Sequence, residues 1–169
     1  MVVKKYILDT LDKMEAKYQA ALLSHDPNEA TYYSKLALLE YCGWIEETMD
    51  KIAKRCVKGK LRTTPYRQIF RDGIIGGTHG FQYDKHFRPM MIKTVGIVKM
   101  EKLHKHLDNN GMLAPFINEL KAVKVDRNDA AHTWIEGTTK TYPAPSIAKN
   151  RLLNIYPILK NVYSLMIRI

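Results

Sequence analysis

The sequence predicts an all-α protein, an elongated bundle of about five to six helices forming a single domain over residues 1–169. Three observations predict it. Apolar residues recur at a spacing near 3.6 through most of the chain. No two segments show the alternation of apolar and polar residues that paired strands need. The proline, glycine and Asn/Asp clusters fall mainly between the periodic stretches rather than within them.

Residues 2–24 carry Val3, Ile7, Leu8, Leu11, Met14, Tyr18, Ala21 and Leu22 at helical spacing. The run His25-Asp26-Pro27-Asn28-Glu29 then offers Asp26 as N-cap, Pro27 at the first helical position and Glu29 at the capping-box position. A long second helix is expected over about 28–58, with a stripe through Tyr33, Leu36, Leu39, Gly43, Glu46 or Glu47, Met49 and Ala53 and a stop at Gly59. Pro65 opens a short helix to about Gly73, and Gly73–Gly80 (GIIGGTHG) reads as a flexible loop. That run lacks the Gly-Lys-Ser/Thr ending and preceding strand of a nucleotide-phosphate loop, which excludes a nucleotide-triphosphatase. Further helices are expected over about 86–107, 112–136 and 147–168, with a turn at 107–111, a loop at 138–146 and a kink at Pro157.

A chain of this length with 46% apolar and 26% charged residues can bury a core without disulfide or metal staples. Cys42 and Cys56 are expected on one helix roughly 21 Å apart, too far to bridge, so both read as packed, reduced thiols in a reducing cytoplasm. No apolar run approaches the ~18–20 residues of a membrane span. The first residues carry carboxylates where a signal peptide needs an apolar stretch. A cytoplasmic protein with no membrane association is the expectation.

The net charge of +10 is unevenly placed. Residues 1–50 have five Lys/Arg against nine Asp/Glu, residues 51–108 have fourteen against four, and residues 109–169 have eight against four. Between Lys51 and Arg71 lie eight basic residues and no acid, which points to a phosphate-rich partner. Lys51, Lys54, Arg55 and Lys58 are spaced to share one helix face and are the expected RNA-backbone track; the plain alternative is a solvated, solubilising face. A basic DNA-binding protein fits less well, since no helix-turn-helix spacing is clear.

The chemistry concentrates in residues 120–134. Leu120, Val123, Ala130 and Trp134 form a stripe, and Arg127 occupies a step of it where an apolar side chain belongs. A guanidinium keeps its charge, so Arg127 must reach a carboxylate such as Glu46, Glu47 or Asp50, or border an anion-binding cleft or interface. Asn128 and His132, four apart, share a face, and Asp129 is three before His132. Five residues on an ideal helix leave Arg127 and His132 about 140° apart, so one helix aims them poorly at one phosphate. A local distortion or a second copy across a twofold axis would bring them together.

Arg127-Asn-Asp-Ala-Ala-His132 resembles the R-x4-6-H signature of HEPN domains, including the polar residue after the arginine. At this one spacing, Arg followed by Asn, Asp or His and then by His five residues after the Arg, chance supplies about 0.04 instances in a chain of this composition. The late position of the motif, near a helix end and before a loop and last helix, is also HEPN-like. So is Leu39–Asp50 (LEYCGWIEETMD) as part of a long second helix. The resemblance covers most of residues 28–168.

It implies a metal-independent endoribonuclease, without cofactors, in which RNA supplies its own 2′-hydroxyl nucleophile. Arg127 would hold the phosphate, His132 would act as general base or acid, and Asn128 would orient the histidine or donate to phosphate. It further implies a homodimer with a composite site, and a role in stress response or antiviral defence as a toxin, with an antitoxin or defence-system partner. The alternative within the family is a catalytically silent module for RNA or protein binding and dimerisation. Toxins of the subgroup paired with nucleotidyltransferase antitoxins carry a tyrosine two residues after the histidine, where this chain has Trp134.

Other signals read as structure. His104 and His106 face ~200° apart on a helix, and His79 and His86 have no carboxylate or cysteine spacing for a metal, so no metal site is expected. Met90, Met91, Met100, Tyr41 and Trp44 are expected in the core.

Overall fold

The computed structural model describes residues 2–132 and 141–168. All regular structure among them is helical: α1 (Lys5–Leu23), α2 (Pro27–Val57), α3 (Thr64–Gln68), π-helical stretches Ile69–Ile75 and Tyr83–Phe87, α4 (Arg88–Val95), α5 (Ile97–Asn109), α6 (Leu113–His132) and α7 (Pro145–Arg168). The all-α helical-bundle class is the one the periodicity predicts. No helix among the described residues is long and apolar enough to cross a membrane.

The α1–α2 junction follows its local sequence closely. The Asp26 carboxylate accepts the Glu29 backbone N–H at 2.9 Å, which satisfies one orphan donor of α2. Just before it, the Asp26 N–H reaches back to the Ala21 carbonyl and the His25 N–H to that of Leu22. This pairing needs a left-handed residue between them, and His25 supplies it at φ 61. Glu29 does not close a capping box; its carboxylate accepts the Tyr33 hydroxyl instead.

Three expectations change. The stripe of α2 holds at Met49 and Ala53 but shifts before them: Ala30, Ser34, Ala37, Leu38, Tyr41, Cys42 and Ile45 are buried, while Leu36 and Gly43 are exposed. The helix expected over 86–107 is two helices, because Gly96 adopts φ 86, which no α-helix contains. The loop expected from Gly73 begins instead inside a π-helical stretch, closed by the Gly76 N–H on the Arg71 carbonyl five residues back. A Cβ at Gly77 would stand 2.6 Å from the Gly73 carbonyl oxygen, so the glycines serve close backbone packing rather than a phosphate cradle.

The chain divides into two compact units, one built from Val3–Trp44 and Ala122–Tyr156, the other chiefly from Ile45–Lys121 and the chain from Pro157 on. Helices α2, α6 and α7 each contribute to both. In the first unit, Ile7 and Leu11 of α1, Tyr41 of α2, Val123 of α6 and Leu152 and Ile155 of α7 are all buried. The Trp44 indole donates to the Val3 carbonyl at 3.0 Å. The Glu15 carboxylate of α1 accepts the Ser146 N–H at 2.7 Å, placing negative charge at the N-terminus of α7. In the second unit, Phe116 meets Tyr83 and Phe87 edge-on with centroids 5.8 Å apart, and Tyr83 and Phe87 are tilted against each other at 5.9 Å. Met90, Met91 and Met100 are buried there, as the sequence suggested.

Candidate functional site

Helix α6 runs unbroken as α-helix through His132. The α-helix is continuous between Arg127 and His132, so the positions keep the ~140° separation of an ideal helix. Leu120, Val123 and Ala130 are fully buried, and Arg127, on the same stripe, is half-buried. Its Nη1 donates to the neighbouring Asn128 Oδ1 at 3.4 Å, a long and therefore weak contact. The side chain of His132, and all of Trp134, lie outside the described residues.

Leu120, Val123 and Ala130 belong to the core. These three side chains pack within the single chain. Val125 of α6 is exposed. Of the acidic residues considered for Arg127, Glu47 pairs with Lys51 at 3.1 Å and Asp50 with Lys54 at 3.6 Å along α2.

A carboxylate that the sequence reading passed over does shape the turn. Asp126 accepts Arg151 of α7 at 2.8 Å, with both side chains mostly shielded from water. This pair ties the motif turn of α6 to the first half of α7, 25 residues on.

The expected basic track is brought together. Lys51, Lys54, Arg55 and Lys58 line one open depression of about 550 Å3, with Phe70 and Tyr163 as its aromatic members. Their electrostatics are not equivalent. Lys51 and Lys54 are neutralised by Glu47 and Asp50 one turn back, whereas Arg55 and Lys58 make no ion pair among the described residues. Burial pushes the Asp50 carboxyl above the usual range, and the Lys54 ammonium opposes that shift.

The remaining polar signals are structural in character. Cys42 and Cys56 are free and buried, both on α2, and burial pushes the Cys56 thiol up, away from a reactive thiolate. His104 Nδ1 lies 3.0 Å from the Tyr83 hydroxyl, and His86 Nδ1 accepts the Gln82 N–H at 3.0 Å. Burial raises the Tyr83 phenol to about 12. Among the described residues no group of three or more His, Cys, Asp or Glu could hold a metal ion.

Comparison of the chain with family models, with curated proteins and with solved structures finds no match.

Proposed function

We propose that the chain is a HEPN-type, metal-independent endoribonuclease that cuts RNA at a site built on Arg127, Asn128 and His132. The observation that carries the reading is the half-buried guanidinium of Arg127 on a stripe whose other described members are fully buried. A permanent cation kept at a core-facing position with access to water suits an anion that comes and goes. Substrate attraction is supported by the depression lined by Lys51, Lys54, Arg55 and Lys58.

In this reading His132 takes the proton of the 2′-hydroxyl next to the scissile phosphate. The freed oxygen attacks phosphorus, the bond to the 5′ oxygen breaks, and that oxygen takes a proton from a second His132 or from water. Arg127 offsets the charge that builds on the phosphoryl oxygens. Asn128, beside Arg127, steadies the guanidinium or the substrate phosphate. The ~140° between Arg127 and His132 favours a composite site in which each of two copies supplies one of them. A role in stress response or defence, with an antitoxin or other partner, belongs to the same proposal.

The test is RNA cleavage in EDTA. Arg127→Ala and His132→Ala should each remove most activity while keeping the wild-type circular dichroism and melting temperature, and RNA 2′-O-methylated at the scissile position should resist. Wild-type protein that binds RNA but cuts none of it would leave a silent RNA-binding module.

A further inference from the structure

The eight cations between Lys51 and Arg71 separate into two groups once their partners are known. Lys51, Lys54 and Arg71 are neutralised by Glu47, Asp50 and Asp72. Arg55, Lys58, Lys60, Arg62 and Arg67 make no ion pair among the described residues. The uncompensated charge therefore gathers around the C-terminal end of α2 and the segment after it, not along the whole helix face.

Three of these five line a second, smaller depression of about 240 Å3: Lys58, Arg62 and Arg67, against an apolar wall that includes Val57, Leu61 and Phe70. No carboxylate lines it. The Arg67 Nε donates to the Leu61 carbonyl at 3.0 Å. That bond fixes the plane of the guanidinium and leaves the four N–H groups on its terminal nitrogens for a ligand, the fork that matches phosphate oxygens. Lys58 and Phe70 also line the larger depression, so the two adjoin.

Size and charge select the ligand. The volume is below the ~300–1,000 Å3 that encloses a small molecule, so it suits a phosphate with its sugar rather than a whole nucleotide. Three uncompensated cations match a phosphate monoester, which carries about −1.5 to −2, better than the single charge of a chain phosphodiester. A duplex, on the order of 20 Å across, cannot enter it. We infer that Lys58, Arg62 and Arg67 form a site for the terminal phosphate of a single-stranded RNA whose following nucleotides lie along the larger depression.

The inference rests on the RNA-binding part of the proposed function and is independent of cleavage. The experiment uses the full chain and 2′-O-methyl hexanucleotides of one sequence, which cannot be cut by 2′-hydroxyl attack. They carry a 5′-phosphate, a 3′-phosphate or hydroxyls at both ends, and binding is read by fluorescence anisotropy with an internal label. One phosphorylated form should bind roughly tenfold more tightly than the hydroxyl form, the gain expected of one bidentate charge-assisted contact. Arg67→Ala should abolish the preference. Arg67→Lys should abolish it while keeping the charge, because an ammonium cannot both hold the Leu61 carbonyl and present a fork. Equal binding of all three oligonucleotides, or a preference that survives Arg67→Ala, overturns the end-phosphate site while leaving RNA binding intact. Competition by millimolar inorganic phosphate with no advantage for either phosphorylated hexamer would mark a small-anion site and overturn it too. Failure of every hexamer to bind would remove the RNA reading itself.

Discussion

Neutralising the α2 cations in pairs should have unequal effects on RNA binding. Lys51 and Lys54 sit one turn after Glu47 and Asp50 and contact them at 3.1 and 3.6 Å, so each contributes little net field. Arg55 and Lys58 line the same depression with no such neighbour. A cation that neutralises a phosphate contributes ~0.7 to the slope of log affinity against log salt for single strands. Arg55→Ala with Lys58→Ala should therefore flatten that slope by about 1.4. Lys51→Ala with Lys54→Ala should flatten it by well under ~0.7, since their charge is already compensated by the carboxylates they leave behind. The converse change, Glu47→Gln with Asp50→Asn, should steepen the slope by releasing two lysines. Glu47, Lys51, Lys54, Arg55 and Lys58 are exposed and Asp50 is half-buried, so circular dichroism and thermal unfolding of the two alanine pairs should stay near wild type. The assay is anisotropy with a single-stranded, 2′-O-methyl oligonucleotide from 50 to 300 mM salt. Equal flattening by the two alanine pairs would refute the argument that local ion pairing decides which cations act, and an unchanged slope in both would return this face to a solubilising role.

Three further outcomes follow. Mixing Arg127→Ala with His132→Ala protein should restore about a quarter of wild-type cleavage if each site takes one residue from each of two copies; no restoration would place both residues of a site on one chain. Gly77→Ala should cost about 1–3 kcal/mol in urea unfolding, because the new Cβ meets the Gly73 carbonyl oxygen at 2.6 Å, and unchanged stability would deny that contact. The Tyr83 phenol, raised to about 12, keeps its proton in the folded chain after the unfolded chain has lost it near ~10, so stability falls as pH rises through that window. Tyr83→Phe should lose this part of the alkaline decline, and an identical decline in both proteins would contradict it.

Much of the fold was legible because its signals are local. Asp26 followed by Pro27 marks a helix start whatever surrounds it, and the structure has the cap. Gly59, two residues past the end of α2, is as local. The break at Gly96 was hidden because Met90, Met91 and Met100 keep apolar residues on both sides of it, and periodicity does not register one glycine in the left-handed region. The stripe of α2 was misplaced because the helix buries small and polar residues such as Ala30, Ser34, Ala37 and Thr48, while larger apolar ones such as Leu36 remain exposed. The Glu47–Lys51 and Asp50–Lys54 pairs were available from their spacing of four and would have divided the basic face at once. The Asp126–Arg151 pair was not available, since nothing in the sequence joins residues 25 apart on different helices. The Arg67–Leu61 bond is hidden for the same reason in small: it depends on how α3 follows the end of α2.

The central proposal, that Arg127 and His132 direct 2′-hydroxyl attack, is tested most directly by the ends of the RNA fragments released in EDTA. Wild-type protein should leave a 2′,3′-cyclic phosphate on one fragment and a 5′-hydroxyl on the other, with neither formed by His132→Ala. Fragments bearing a 5′-phosphate and a 3′-hydroxyl, or cleavage that starts only when magnesium is added, would contradict it.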